Sequence, residues 1–165
     1  MLRQNFTWEN PGYRTYTIED PNPPYGGTAI IIRSSIQHTV TAVPQFKSLQ
    51  ATLVKTKIGN HEVLLVALFL SPSKLIDLED FDKLIALAPN LKFTFGGNLN
   101  DKNTDWHSRL ITTKARAHAR HAFDNYSISG PDLPTFHPRQ GLQPDVHTRY
   151  ISSSCIAPHS MLSRS

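Results

Sequence analysis

Two short amides, Asn98 and Asn100, stand two residues apart just after an apolar run and the pair Gly96 and Gly97. The run, residues 91–95, has the composition of a short buried strand. We expect the two glycines to end that strand, at a sharp turn or a close approach of the backbone to another group. Side chains two residues apart in an extended segment point the same way, so both amides would face one small ligand. A plain turn rich in Gly and Asn is the equally weighted alternative.

The residues after these amides carry positive charge. Between residues 109 and 120 the sequence holds four cations and no carboxylate, and the cations are Arg109, Lys114, Arg116 and Arg120. Such a cluster suits the phosphates of DNA, with a solvated helix face as the alternative. Trp106 either stacks on a base or packs its loop onto the core, and the second role is the commoner.

His118 and His121 are spaced i, i+3 on a predicted helix, a spacing at which two imidazoles can share a metal ion. The sequence offers no third ligand for such an ion, so we favour a solvated helix face. The single cysteine, Cys155, excludes an internal disulfide and a cysteine-based zinc cluster.

Length and composition predict one ordinary domain or most of a larger one. The 165 residues are 39% hydrophobic, and 12 prolines against 8 glycines suit a strand-and-loop fold better than a helical bundle. The net charge of +4 favours a polyanionic partner. The N-terminus lacks the apolar region of a signal peptide, and no apolar run approaches the roughly 18 residues of a membrane span. We therefore expect a soluble, intracellular protein.

Strands dominate the first half of the predicted elements. The pair Gly59-Asn60 predicts a β-hairpin between residues 52–58 and 62–70. Residues 63–70 are apolar on both faces and should form a central strand covered on both sides. Earlier candidate strands cover residues 13–17, 28–33 and 38–43, and the third of these is expected to pair with the second.

Helices and further strands follow. Asp77 can cap a helix that ends before Pro89, and Thr112 or Thr113 can cap a second helix that reaches about Phe123. Strand-like pieces return over residues 126–151. This order of elements predicts a mixed α/β layered sandwich.

Three motif groups occur along the chain in a fixed order. They are Phe69-Leu-Ser-Pro-Ser-Lys74; Phe95-Gly-Gly-Asn-Leu-Asn100 with Trp106-His-Ser-Arg109; and Pro134-Thr-Phe-His-Pro138 with Pro144-Asp-Val146. With Gly26-Gly-Thr-Ala-Ile30 upstream, they resemble the endonuclease domain of jockey-type non-LTR retrotransposons. That family is a branch of the endonuclease/exonuclease/phosphatase superfamily with the deoxyribonuclease-like fold. The resemblance covers residues 10–152 as a domain incomplete at both ends, and it leaves residues 153–165 as a frayed tail.

The resemblance implies hydrolysis of a DNA phosphodiester with Mg²⁺ or Mn²⁺, in which an Asp activates the attacking water and Asn and Tyr groups bind the phosphate. It also implies a reverse transcriptase on the same polypeptide and action in the nucleus. The matching catalytic positions in this sequence are Phe69, Asn98, Asn100, Thr135 and Asp145. With this resemblance, Trp106 and the four cations are the candidate DNA-binding residues.

Several of these positions depart from the family pattern. Asn98 replaces the Asp, and an amide neither accepts a proton at neutral pH nor offers a carboxylate. Phe69 replaces the Tyr, Thr148 replaces a second Asp, and the family's metal-binding Glu and closing Asp-His pair have no counterpart. The metal ligands of this chain are therefore unassigned, and a hard Mg²⁺ ion would find almost no oxygen cage.

Three classes of function follow from the motifs and their departures. The first is a metal-dependent endonuclease or its impaired remnant, which the segment after Asn100 favours. The second is a nucleic-acid-binding module without catalysis. The third is a phosphatase of the same superfamily that acts on a small phosphoester.

Overall fold

A computed structural model describes residues 10–19, 26–89, 91–100, 102, 104, 111–113, 116–118, 127–129 and 148–152. Its elements in chain order are β1 Tyr13–Glu19, β2 Gly27–Arg33, β3 His38–Val40, β4 Leu49–Ile58, β5 His61–Leu70, α1 Leu78–Ala86, β6 Lys92–Asn98, β7 Ser127–Ser129 and β8 Thr148–Ser152. Thr113 and residues 116–118 are helical. The described part of the chain contains no helix long and apolar enough to cross a membrane.

The centre of the fold is the hairpin of β4 and β5, which pair antiparallel along their full lengths from Leu49↔Leu70 to Ile58↔His61. Gly59 takes a φ of +59° in the connecting turn, as the Gly-Asn pair predicts. β5 lies inside a six-stranded sheet of order β3-β4-β5-β6-β8-β7. The prediction of a central strand at residues 63–70 is therefore confirmed.

β6 pairs parallel with β5, and α1 provides the crossover between them. The prediction that Gly96 and Gly97 end this strand is wrong, because β6 continues through both glycines to Asn98. The close approach predicted for this pair does occur at Gly97. A Cβ on Gly97 would lie 1.8 Å from the carbonyl oxygen of Leu68 on the neighbouring strand.

The six-stranded sheet separates two layers. One face packs against α1 and forms the main apolar core, whose largest fully buried members include Leu53, Leu64, Phe81, Leu84 and Phe95. The other face packs against the two-stranded sheet of β1 and β2, where the hydroxyls of Thr28 and Thr52 are 2.7 Å apart. These layers confirm the predicted α/β sandwich.

β3 corrects another expectation. The sequence predicts that residues 38–43 pair with the strand at residues 28–33, but β3 pairs antiparallel with β4 at the edge of the larger sheet. β2 lies in the other layer and pairs with β1, so it does not pair with residues 38–43. The Nε2 atom of His38 on β3 lies 2.9 Å from the Tyr16 hydroxyl on β1, which links the two layers at this edge.

Asp80 anchors α1 to the start of β4. Its carboxylate is fully buried and accepts hydrogen bonds from the backbone N–H groups of Lys47, Ser48 and Leu49 and from the Ser48 hydroxyl. Burial raises the pKa of Asp80, but these hydrogen bonds lower it by more, so the pKa lies below its ordinary value. One carboxylate thereby fixes the three residues that lead into Gln50. As predicted, Asp77 caps α1 by accepting from the N–H of Glu79.

Candidate active site

Three predicted or adjacent positions meet in one row across the sheet, at the end where β5 and β6 finish. Gln50 on β4 pairs with Phe69 on β5, and Phe69 pairs with Asn98 on β6. Paired residues on neighbouring strands project from the same face, so the three side chains stand side by side. We call Gln50, Phe69 and Asn98 the site row. Asn98 in turn pairs with Thr148 on β8, which places a further departure from the family pattern at the next register position.

Asn98 and Asn100 make a compact turn at the end of β6. The Asn98 Oδ1 atom accepts a hydrogen bond of 2.9 Å from the backbone N–H of Asn100. The two amides do not lie in one extended segment as their spacing predicts, because Asn100 takes a left-handed φ of +49°. Its Nδ2 group donates a 2.7 Å hydrogen bond to the carbonyl of Leu70 at the end of β5. The turn is thus held by both strands that end beside it.

The Phe69 ring is half-buried beneath the segment that precedes β2. Gly26 has a φ of +105°, and a Cβ on it would lie 2.4 Å from the Phe69 Cε1 atom. Only glycine fits this contact, for both conformational and steric reasons. The sequence motif around Gly26 and the motif around Phe69, 43 residues apart, therefore meet at the candidate site.

The chain leaves the site at Lys102 and returns at Thr112. The Thr112 N–H donates a 2.8 Å hydrogen bond to the Lys102 carbonyl, and the Lys102 N–H lies 3.3 Å from the Thr112 hydroxyl as acceptor. The helical residues begin directly afterwards, and Arg116 among them is exposed. The start of this predicted helix is confirmed at Thr112 and Thr113, because the Arg116 N–H donates to the Thr112 carbonyl.

His118 corrects the expectation of a solvated helix face. Its side chain is fully buried, and its ring lies 4.4 Å from the ring of Phe81 on α1, measured between centroids. The imidazole therefore helps to pack the second helix onto the first. Within the described ranges, no three His, Cys, Asp or Glu side chains lie together as a potential metal site.

The remaining predicted positions lie outside the described residues. They are Trp106, Arg109, Lys114, Arg120, Thr135 and Asp145. The described members of the site provide two asparagine amides, one glutamine amide and an aromatic ring. Mg²⁺ prefers carboxylate oxygens, so this described set of donors does not fit that ion.

An open cleft of about 670 Å³ lies elsewhere, beside the start of α1. It is lined by Lys47, Ser48 and residues 74–79, and it includes none of the predicted site positions. Lys47 on its rim pairs with Asp77 and Glu79, at 3.2 and 2.6 Å. The site row is therefore separate from this cleft.

Comparison with known proteins tests the resemblance. The chain is 30% identical over 129 residues to the RNA-directed DNA polymerase from the mobile element jockey of Drosophila funebris. The match covers 77% of this chain and 14% of that relative, so the chain spans about one seventh of its length. The jockey protein of Drosophila melanogaster is 27% identical over 129 residues, with the same coverage. The resemblance to jockey-type retrotransposons is confirmed.

Solved structures share the fold of this chain. The endonuclease domain of TRAS1, a telomere-specific non-LTR retrotransposon, matches with a TM-score of 0.72 at 18% identity, over 87% of this chain and 68% of that one. A mannosyl-6-phosphatase of Bacteroides thetaiotaomicron matches with a TM-score of 0.52 at 13% identity, over 87% and 64% of the two chains. No family model matches the sequence. The chain therefore has the endonuclease/exonuclease/phosphatase fold and a jockey-like sequence.

Three features are not predicted from the sequence. They are the place of Gln50 in the site row, the contact of Gly26 with Phe69, and the buried hydrogen bonds of Asp80. Gln50 has no motif of its own, and only the strand register brings it beside Phe69. A signal for Gly26 existed in the Gly-Gly pair before a strand, but its contact with Phe69 is not local.

Proposed function

We propose that this chain binds DNA through phosphate contacts and does not hydrolyse it. The observation that supports this is the hydrogen bond that the Asn98 side chain accepts from the backbone of Asn100. The Asn98 amide oxygen makes the hydrogen bond to the Asn100 N–H that a carboxylate oxygen would also make. The turn therefore keeps its geometry while the group that accepts a proton in the family mechanism is missing.

The neighbouring positions support the same proposal. Phe69 offers a ring where the family has a phenol, so one hydrogen-bond donor to the phosphate is lost. The described donor set does not fit Mg²⁺, so we propose that neither Mg²⁺ nor Mn²⁺ binds tightly. Catalysis of this kind depends on positioning and charge stabilisation together, and losing several contributors removes most of it.

The binding half of the proposal rests on charge and on the place of the second helix. Arg116 is exposed on that helix, which begins where the chain returns from the site at Thr112. The excess of positive charge, +4 over the whole chain, favours association with a polyanion. We propose DNA as that polyanion, in the nucleus, with a reverse transcriptase on the same polypeptide as in the relatives' names.

Two measurements on the full chain test this function. Fluorescence anisotropy with a labelled duplex at two salt concentrations should show binding that weakens steeply as salt rises. A supercoiled-plasmid assay with Mg²⁺ or Mn²⁺ should show no nicking. Metal-dependent nicking that disappears in Asn100→Ala would contradict the loss of catalysis, and an absence of any binding at low salt would contradict the DNA-binding role.

A further inference from the structure

Gln50 extends the candidate site beyond the positions that the sequence motifs identify. It is half-buried, it pairs with Phe69, and it projects from the same sheet face as Phe69 and Asn98. The Gln50 Oε1 atom is buried, so a ligand would meet this amide through its Nε2 group, which is a hydrogen-bond donor. The site row thus presents an amide, an aromatic ring and a second amide in a line across three strands.

Each member of the site row is held in place by the fold. Asp80 fixes the backbone of the three residues before Gln50, and the Gly26 backbone lies against the Phe69 ring. The Asn98 amide is oriented because its Oδ1 accepts from Asn100, which leaves Nδ2 as a donor suited to a phosphate oxygen. A ligand that binds here pays little entropy for ordering these groups.

The dimensions of the row indicate a chain-like ligand. Gln50 and Asn98 are separated by two strand spacings, about 10 Å, and their side chains rise in parallel from one face. One phosphate group is too small to be shared comfortably across that separation, so the two amides suit neighbouring nucleotides. An aromatic ring between them suits a base that is unstacked from its own strand.

Resting on the proposed function, we propose that the site row binds a single DNA strand that crosses β6, β5 and β4. Asn98 holds one nucleotide, the Phe69 ring stacks on a base, and the Gln50 amide hydrogen-bonds the next nucleotide. These contacts are uncharged, unlike those of Arg116. They should therefore raise affinity without adding to its salt dependence.

The test uses a labelled oligothymidylate of about 10 nucleotides, in EDTA, with binding to the full chain followed by fluorescence anisotropy at two salt concentrations. We expect Gln50→Ala to weaken binding about 3- to 10-fold, by the same factor at both concentrations. Phe69→Leu should weaken it by about 5-fold or more. The side-chain amide signals of Gln50 in an NMR spectrum should shift when the oligonucleotide is added.

Gln37→Ala is the matched control. Gln37 is exposed, and its carbonyl accepts from the hydroxyl of Thr56, six positions along β4 from Gln50 and about 20 Å away. This variant should bind like the unmodified chain. Thermal unfolding midpoints for all variants establish that differences in binding do not reflect unfolding.

The outcomes separate the two proposals. Suppose that Arg116→Glu weakens binding, that Gln50→Ala and Phe69→Leu do not, and that the Gln50 signals do not shift. The site row then does not bind a DNA strand, and the proposed DNA-binding function stands. If the unmodified chain binds no oligonucleotide or duplex, both proposals are wrong. A Gln50→Ala effect that vanishes at higher salt would also contradict the row, because it would indicate an indirect electrostatic contribution.

Discussion

The Phe69 ring and the Gly26 backbone are in direct contact, and a Cβ at Gly26 would lie 2.4 Å from Cε1 and 2.7 Å from Cδ1 of that ring. The contact joins the segment before β2 to the end of β5. It therefore sets both the spacing of the two sheets beside the candidate site and the orientation of the ring in the site row.

Gly26→Ala should destabilise the fold by roughly 1–3 kcal/mol, because it adds a clash to a φ of +105° that L-residues avoid. Urea unfolding of Gly26→Ala, of Phe69→Ala and of the double variant separates the clash with the ring from the strain of the φ angle. We expect Phe69→Ala to cost less free energy of unfolding in the Gly26→Ala background than alone, since the clash is then relieved. Strictly additive losses would show that the ring and Gly26 do not interact. Gly12→Ala is the control for φ alone, because Gly12 has a φ of +87° with nothing within 4 Å of its Cβ position.

Gly97→Ala should cost about 3 kcal/mol or more, because its Cβ would lie 1.8 Å from the Leu68 carbonyl oxygen on β5. The atom in the way belongs to the backbone, so β5 and β6 must separate to admit a methyl group. Circular dichroism and urea unfolding measure the loss. Stability within about 0.5 kcal/mol of the unmodified chain would mean that the two strands are not paired as described.

Stability should fall in acid because of Asp80. Its folded-state pKa is lowered, so its stabilising contribution is fully present above the unfolded pKa of about 4 and is lost as the pH falls through the folded value. Asp80→Asn should cost about 2–4 kcal/mol at neutral pH and should flatten this part of the acid limb. Urea midpoints between pH 2 and 7 provide the measurement. Asp82→Asn, at an exposed helix position, is the control. If the stability of Asp80→Asn fell as steeply in acid as that of the unmodified chain, Asp80 would not be the group responsible.

Restoring a carboxylate at Asn98 should not restore cleavage. Asn98→Asp keeps the hydrogen bond to the Asn100 N–H, so the variant should fold, yet the hydroxyl at Phe69 and the carboxylate at Thr148 stay absent. Acid–base assistance contributes about 10²- to 10⁴-fold only when the other groups are in place. The plasmid assay with Mg²⁺ or Mn²⁺ measures this directly. Nicking by Asn98→Asp alone would show that a working metal site survives.

Charge reversal at Arg116 and Arg120 should weaken DNA binding and reduce its dependence on salt. Arg116→Glu combined with Arg120→Glu removes two cations, and each lost phosphate contact lowers the slope of log affinity against log salt by about 1. Anisotropy titrations at several salt concentrations give that slope. Lys57→Glu, an exposed cation near the far end of β4, makes the same kind of charge change away from the site. Equal effects of Lys57→Glu and of the Arg116 and Arg120 variants would indicate only a response to net charge.

Local sequence was sufficient for the elements whose determinants are close together. The Gly59-Asn60 turn, the apolar β5 and the Asp77 cap each depend on a few consecutive residues. The site row depends instead on register: Gln50, Phe69 and Asn98 are far apart in sequence and meet only because three strands pair in one alignment. A family motif supplied two of these residues and could not supply the third.

The burial of two polar side chains, Asp80 and His118, could not be predicted from the sequence either. Asp80 looks like an ordinary acidic residue in the first turn of a helix, yet its partners are the N–H groups of residues 31–33 positions upstream. His118 lies among cations in the sequence, yet it packs on Phe81. In both cases the tertiary contact overrides a local pattern that favours solvent.

The hydrogen bonds between Lys102 and Thr112 join the two ends of the stretch between them. The two ends of residues 103–111 are therefore held beside each other, and the cost of closing such a stretch rises slowly with its length. We expect a replacement of different length or composition to be accepted there while the site row stays intact. The length of the chain can therefore vary at this position without a change in the register of the sheet.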